Sequence, residues 1–168
     1  MPSFHECMKE FRLQLEKGVV QIAYKGLLEY MLALKNHLKE KYPECYVSGG
    51  LYSGYMDMTY FAFSPGALKR LNLKIALVFN HEAFRFEIWL AGYNKKVQAE
   101  YWKLFKESGW NKYNVVPAPK GSDSIVEYVL VESPDFIDLD ALTKQIEKGT
   151  LKFVGDIEDF LSEHGNAL

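Results

Sequence analysis

The sequence predicts an α+β fold, a mostly antiparallel sheet with helices packed on one face. Two observations carry this. Between Leu73 and Gly92, apolar and polar residues alternate with period two, twice, around a short polar break. The segments of helical periodicity flank the strand-rich middle and do not alternate with single strands, which argues against a doubly wound parallel sheet.

Ser3 and Glu6 have the spacing of a capping box, in which each side chain satisfies an amide at a helix start. Phe4, Cys7, Met8, Phe11 and Leu15 recur at helical spacing, and Gly18 ends this helix. A longer helix is expected over residues 19–42, with Val20, Ala23, Leu27, Met31, Leu34 and Leu38 as its buried stripe. Lys35, Lys39 and Lys41 favourably oppose its dipole, and Pro43 closes it. Residues 46–63, rich in Tyr, Phe, Val and Thr, read as two strands, the second over 55–63. Ser64-Pro65-Gly66 is a turn signal.

The hairpin over 73–92 is the clearest element. Leu73, Ile75, Leu77 and Phe79 share one face with Phe84, Phe86, Ile88 and Leu90, and that face has to lie on a core. The other face carries Lys74, Arg85, Glu87 and Trp89. A two-residue turn at His81-Glu82 would set Lys74 opposite Trp89 and Ala76 opposite Glu87. Asn94 caps a helix with Val97, Tyr101, Leu104 and Phe105 inside, ended by Gly109. Short strands are expected over 113–118 and 124–132. Asp138 caps a helix ended by Gly149, and Asp156 caps a last helix ended by Gly165.

A chain of 168 residues is expected to form one domain, here 1–168. The formal net charge of -2 offers no bulk attraction to a polyanion, so nucleic acid is not expected as a partner. Cys7 and Cys45 have no ligand spacing and read as reduced, buried, structural residues. Glu6 and Glu10 interrupt the first ten residues, so no signal peptide is expected. No apolar run approaches the ~20 residues of a membrane helix. No membrane association is therefore expected, and the expected location is cytoplasmic.

Four runs carry a resemblance: Ala23-Tyr24-Lys25-Gly26-Leu27; Gly54-Tyr55-Met56-Asp57-Met58-Thr59-Tyr60; the stretch from Phe84 to Lys95; and Asp156-Ile157-Glu158-Asp159-Phe160-Leu161. Together they resemble a bacterial family described as a domain of unknown function. The resemblance implies one intact domain in a bacterial cytoplasm and brings no activity, cofactor or catalytic residue.

The residues that carry chemistry are few. Asp57 lies between Met56 and Met58 in an aromatic segment, where an ionised carboxylate needs a partner or a cation. Arg85, Glu87 and Trp89 share the polar hairpin face. With Asp57 and Tyr55 they compose a charged floor with aromatic walls, suited to a small polar ligand. The same types also make an ordinary solvated sheet face with a cross-strand ion pair. His81-Glu82 reads as a turn, without the HExxH spacing of a metal site. No phosphate loop, GxSxG elbow or cofactor motif is present, so no metal or cofactor is expected. A restriction-endonuclease core would need a lysine where Trp89 stands. Three functions fit: a binding or regulatory domain for a small polar ligand, a metal-dependent hydrolase using Asp57 and Glu87, and a homodimer module whose aromatic face is the interface.

Overall fold

The computed structural model describes residues 1–165; positions 166–168 of the expected domain lie outside them. Its elements are α1 (Phe4–Glu16), α2 (Val19–Lys41), β1 (Tyr46–Val47), β2 (Met58–Ser64), α3 (Gly66–Arg70), β3 (Leu73–Asn80), β4 (Arg85–Gly92), α4 (Lys95–Glu107), β5 (Asn114–Val115), β6 (Val126–Val131) and α5 (Leu139–His164). The strands form one sheet in the order β1-β2-β3-β4-β6-β5, every neighbouring pair antiparallel. The fold is α+β, as the alternation and the grouping of elements require.

The apolar face of the β3–β4 hairpin is the centre of the core. Leu73, Ile75, Leu77, Phe79, Phe86, Ile88 and Leu90 are all buried in one cluster with Met31, Leu34 and Leu38 of α2, Phe105 of α4, and Ile146, Phe153, Ile157 and Phe160 of α5. Each such side chain, fully buried, stabilises the fold by about 1.5–3 kcal/mol relative to exposure. Phe105 stacks on Phe160 at 4.2 Å, which locks α4 to α5.

The hairpin turn is longer than expected. Asn80 pairs with Arg85, so four residues, His81 to Phe84, make the connection. Asn80 Oδ1 accepts from the Ala83 amide, and Phe84 takes a left-handed φ of 53°. Two added residues shift the register by two and leave the faces unchanged. Ala76 therefore stands opposite Trp89, and Val78 opposite Glu87. The expected strand over 55–63 also starts later: Tyr55, Met56 and Asp57 form a turn, with Met56 at φ 61°, and β2 begins at Met58.

The two expected C-terminal helices are one, because their boundary residues serve tertiary contacts. A Cβ on Gly149 would lie 2.7 Å from Leu130 Cδ2, so this glycine admits a close helix–sheet approach and ends nothing. Asp156 accepts bonds from Tyr113, Lys112 and Lys152. These donors hold its carboxyl well below the usual range, against the opposing effect of burial. Burial and the Asp156 carboxylate push the Tyr113 hydroxyl up to about 12.

Glu147 of α5 reaches α2, accepting from His37, Lys41 and Tyr42. Burial alone would raise its pKa, but the bonds from Lys41, Tyr42 and His37 outweigh it and hold the carboxyl at about 2. Lys35, though buried, donates to the carbonyls of Ser48 and Gly49 and so pins the chain before β2.

Two expectations about the N-terminal region are corrected. Cys7 is exposed and Cys45 half-buried, both as free thiols. The fully buried stripe of α2 begins at Tyr30, whereas Val20 and Leu27 are half-buried and Ala23 is exposed, with Leu27 packed against the edge of the core cluster.

A Cβ on Gly92 would overlap the Gln98 backbone at the start of α4, while one on Gly155 would meet nothing within 4 Å. Gly92→Ala is expected to lower the unfolding free energy by about 1–3 kcal/mol, and Gly155→Ala to raise it by about 0.5–1 kcal/mol, both read by urea titration. Glu147 is ionised in the fold down to about pH 2, against an ordinary value of 4.5. Its stabilising contribution is present above the ordinary value and lost as pH falls through the folded one. Glu147→Gln should flatten that segment of the stability–pH curve.

Candidate functional site

The alternation of β4 aims Arg85, Glu87 and Trp89 at the same side of the sheet, away from the apolar cluster. Glu87 is 4% exposed. Its Oε1 accepts from Arg85 Nε at 2.7 Å and Asn80 Nδ2 at 3.2 Å, and its Oε2 accepts from Trp89 Nε1 at 2.8 Å. Arg85 Nη1 donates to both oxygens of Glu132 at 3.2 Å. The bond to Glu87, against some burial, keeps the guanidinium pKa raised. Arg85, Glu87 and Trp89 are thus brought together, but their polar atoms are largely spent on one another. Beside them is a cavity of about 630 Å³, also lined by Lys112, Asn114 and Glu127.

Asp57 and Tyr55 stand elsewhere, in the turn that leads into β2. Asp57 Oδ1 accepts the Tyr55 amide at 2.9 Å. That bond and one from the Met58 amide lower its pKa. Gly54, at φ 72°, is packed so tightly that a Cβ would overlap the Met58 carbonyl. Asp57 therefore holds a tight turn in shape, and the Tyr55 side chain projects into solvent at 92% exposure. Asp57 and Glu87 share no hydrogen-bond partner. Among the described residues, no group of three or more His, Cys, Asp or Glu side chains is placed to hold a metal ion.

A second concavity lies at the hairpin tip, where the uncovered half of α2 stands over the turn. It measures about 580 Å³ and is lined by Val20, Ala23, Gly26, Leu27 and Tyr30 of α2, Phe79, His81 and Phe84 of the hairpin, and Met56, Phe136 and Leu139. Phe79 is its floor, in edge contact with Phe84 at 5.3 Å and His81 at 5.0 Å. Phe136 packs against both Phe79 and Phe84.

His81 is the main titratable group in this groove, and its tautomer follows from its partners. Thr59 Oγ1 lies 2.8 Å from the Ser53 carbonyl and 2.8 Å from His81 Nε2. A carbonyl only accepts, so the hydroxyl gives its one proton to Ser53 and accepts from His81 Nε2–H. Nδ1 then carries a lone pair. Burial lowers the pKa of His81, while the nearby Asp57 carboxylate works the other way. The neutral imidazole is the resting form at pH 7.

Sequence reading treated His81 as a turn residue, and the groove was missed. One signal was present. Gly26 sits inside a helix, where glycine costs about 1 kcal/mol relative to alanine, and a Cβ there would meet nothing within 4 Å. No packing contact demands this glycine; what it does is leave the groove open.

The folded state resists protonation of His81, so the unfolding free energy should decline as pH falls below the ordinary value of 6.5 toward the lower folded one. His81→Gln keeps a donor for Thr59 and removes the titration, and is expected to flatten this part of the profile in a urea series.

The chain belongs to a family described as a domain of unknown function (DUF7000), whose model matches residues 4–161. No curated protein and no solved structure matches it.

Proposed function

We propose that this chain is a binding domain whose ligand is a small, largely apolar molecule, such as an aromatic ring or a short acyl chain, held in the groove under α2. The observation that carries this reading is the groove itself: about 580 Å³ walled by aliphatic and aromatic side chains, with His81 among them. Small-molecule sites are typically of this size, mostly apolar, with a few polar groups that fix orientation. His81 Nδ1 is suited to accept one hydrogen bond, and the Phe79, Phe84 and Phe136 rings supply contact area. A neutral histidine in an apolar wall favours an uncharged or singly polar ligand over a strongly charged one.

A second reading is a small polar ligand beside Arg85, Glu87 and Trp89. It is favoured by the neighbouring cavity with Lys112 and Asn114 on its rim, and by Arg85 using only Nε and Nη1 in its bonds among the described residues. A hydrolase reading would need Asp57 and Glu87 to share a cation; their separate hydrogen-bond networks give it less support.

Gly26→Leu separates the first two. It adds an aliphatic side chain at the groove wall, from a position where a Cβ meets nothing within 4 Å, and replaces a poor helix former. With the uncharged probes 1-naphthol and decan-1-ol, each able to donate one hydroxyl proton to Nδ1, wild-type protein should bind and Gly26→Leu should lose at least about tenfold in affinity, a loss of about 1.4 kcal/mol. Its melting temperature should be unchanged or higher. Probe binding unaffected by Gly26→Leu would overturn the groove reading. Binding of a polar metabolite lost in Arg85→Ala, yet kept in Gly26→Leu, would favour the second.

A further inference from the structure

Alone among the described helices, α1 has no buried residue. Its N-terminus is properly closed, since Ser3 Oγ accepts the Glu6 amide while Glu6 accepts the Ser3 amide. A helix of 13 residues is nevertheless marginal in water without an apolar partner. Phe4, Met8, Phe11 and Leu15 form one apolar stripe, separated by four, three and four positions, with Leu13 off it. This is the seam of a coiled coil, and the spacing reads the same from either end.

We propose that the chain forms a two-fold dimer in which α1 packs antiparallel against α1 of a second copy. The symmetric spacing lays Phe4 against Leu15 of the second copy, and Met8 against its Phe11. The seam is flanked by His5, Cys7, Arg12 and Gln14, so no carboxylate meets its like across it. Glu16 is held by Arg12 of its own helix. Antiparallel pairing also sets the positive end of each helix dipole beside the negative end of the other.

The exposed area reaches what a dimer needs when the start of α2 is covered completely together with the seam. Phe4 is 81% exposed, Met8 45%, Phe11 47%, and the adjoining Val19 and Ile22 65% and 75%. With large apolar side chains offering roughly 150–200 Å² each, this leaves about 600 Å² per copy. Two copies together reach about 1,200 Å², the lower edge of stable specific interfaces. The proposal does not rest on the groove ligand, although Val19 and Ile22 also line the groove and the second copy would stand at its mouth.

Light scattering coupled to size-exclusion chromatography tests it on the full chain. Wild-type protein at about 50 µM should show twice the mass of one chain, as expected for an interface of this size. Met8→Glu/Phe11→Glu should be monomeric with an unchanged far-ultraviolet dichroism of the sheet, because neither residue is in the core. A monomeric wild type overturns the proposal, and so does a dimer that survives the double substitution. For orientation, Cys7 and Cys45 are replaced by serine and a nitroxide is placed at Pro2→Cys. Antiparallel helices set the two labels about 20 Å apart along the axis; a separation near 10 Å, the distance between adjacent helix axes, would mean parallel pairing and overturn the model.

Discussion

Water must be kept from the apolar face of the central hairpin along its whole length, and the helices cover it unevenly. α5, α4 and the second half of α2 close over Leu77, Ile88 and their neighbours. At the tip, the first half of α2 is at most half-buried, and Phe79, Phe84 and Phe86 of the hairpin are shielded together with Phe136, Phe79 and Phe136 each in edge or tilted contact with the other three rings. Aromatic rings suit this, since each covers a large area with few rotatable bonds. The groove is what remains between that aromatic cap and the helix above it. It follows from how the core is closed, and Gly26 keeps it from being filled.

Three carboxylates do in polar chemistry what the hairpin does in apolar packing. Glu147 ties α5 to the end of α2, Asp156 ties α5 to the segment before β5, and Glu87 ties β4 to the end of β3. Each accepts from three side chains, and such a charge is costly to bury unless it is paired in this way. Removing one partner of such a set destabilises more than the pair itself contributes, because the other is left without compensation. In the fold, these carboxylates accordingly join one element to another.

Much of the fold was legible because it depends on local periodicity. The alternation through Leu77 and Phe79, and again through Phe86 and Ile88, assigned the residues of β3 and β4 to their faces despite a two-residue error in register, but Phe84, expected on the apolar face, lies in the turn and is exposed. What was not legible depended on contacts distant in sequence. Gly149 and Asp156 look like helix punctuation until Leu130 and Tyr113 are seen against them. Asp57 looks like a strand carboxylate until Gly54 and Met56 turn the chain with positive φ. Of the candidate site, the association of Arg85, Glu87 and Trp89 was readable from β4 alone. The groove was not, because its walls come from segments near residues 20–30, 79–84 and 136–139, and no local pattern records that they meet.

The two ends of the sheet are β1 and β5, each only two residues long. Beyond β1, the flank of β2 is occupied by its own chain, where Tyr52 and Tyr60 exchange backbone bonds. A six-stranded sheet usually offers a row of open amides and carbonyls at each margin, a template on which foreign strands polymerise. Here the end strands are short, and β5 covers only Val126 and Glu127 of β6. Such short end strands give an incoming strand little length to pair with, so side chains are the richer source of contacts for any assembly the chain forms.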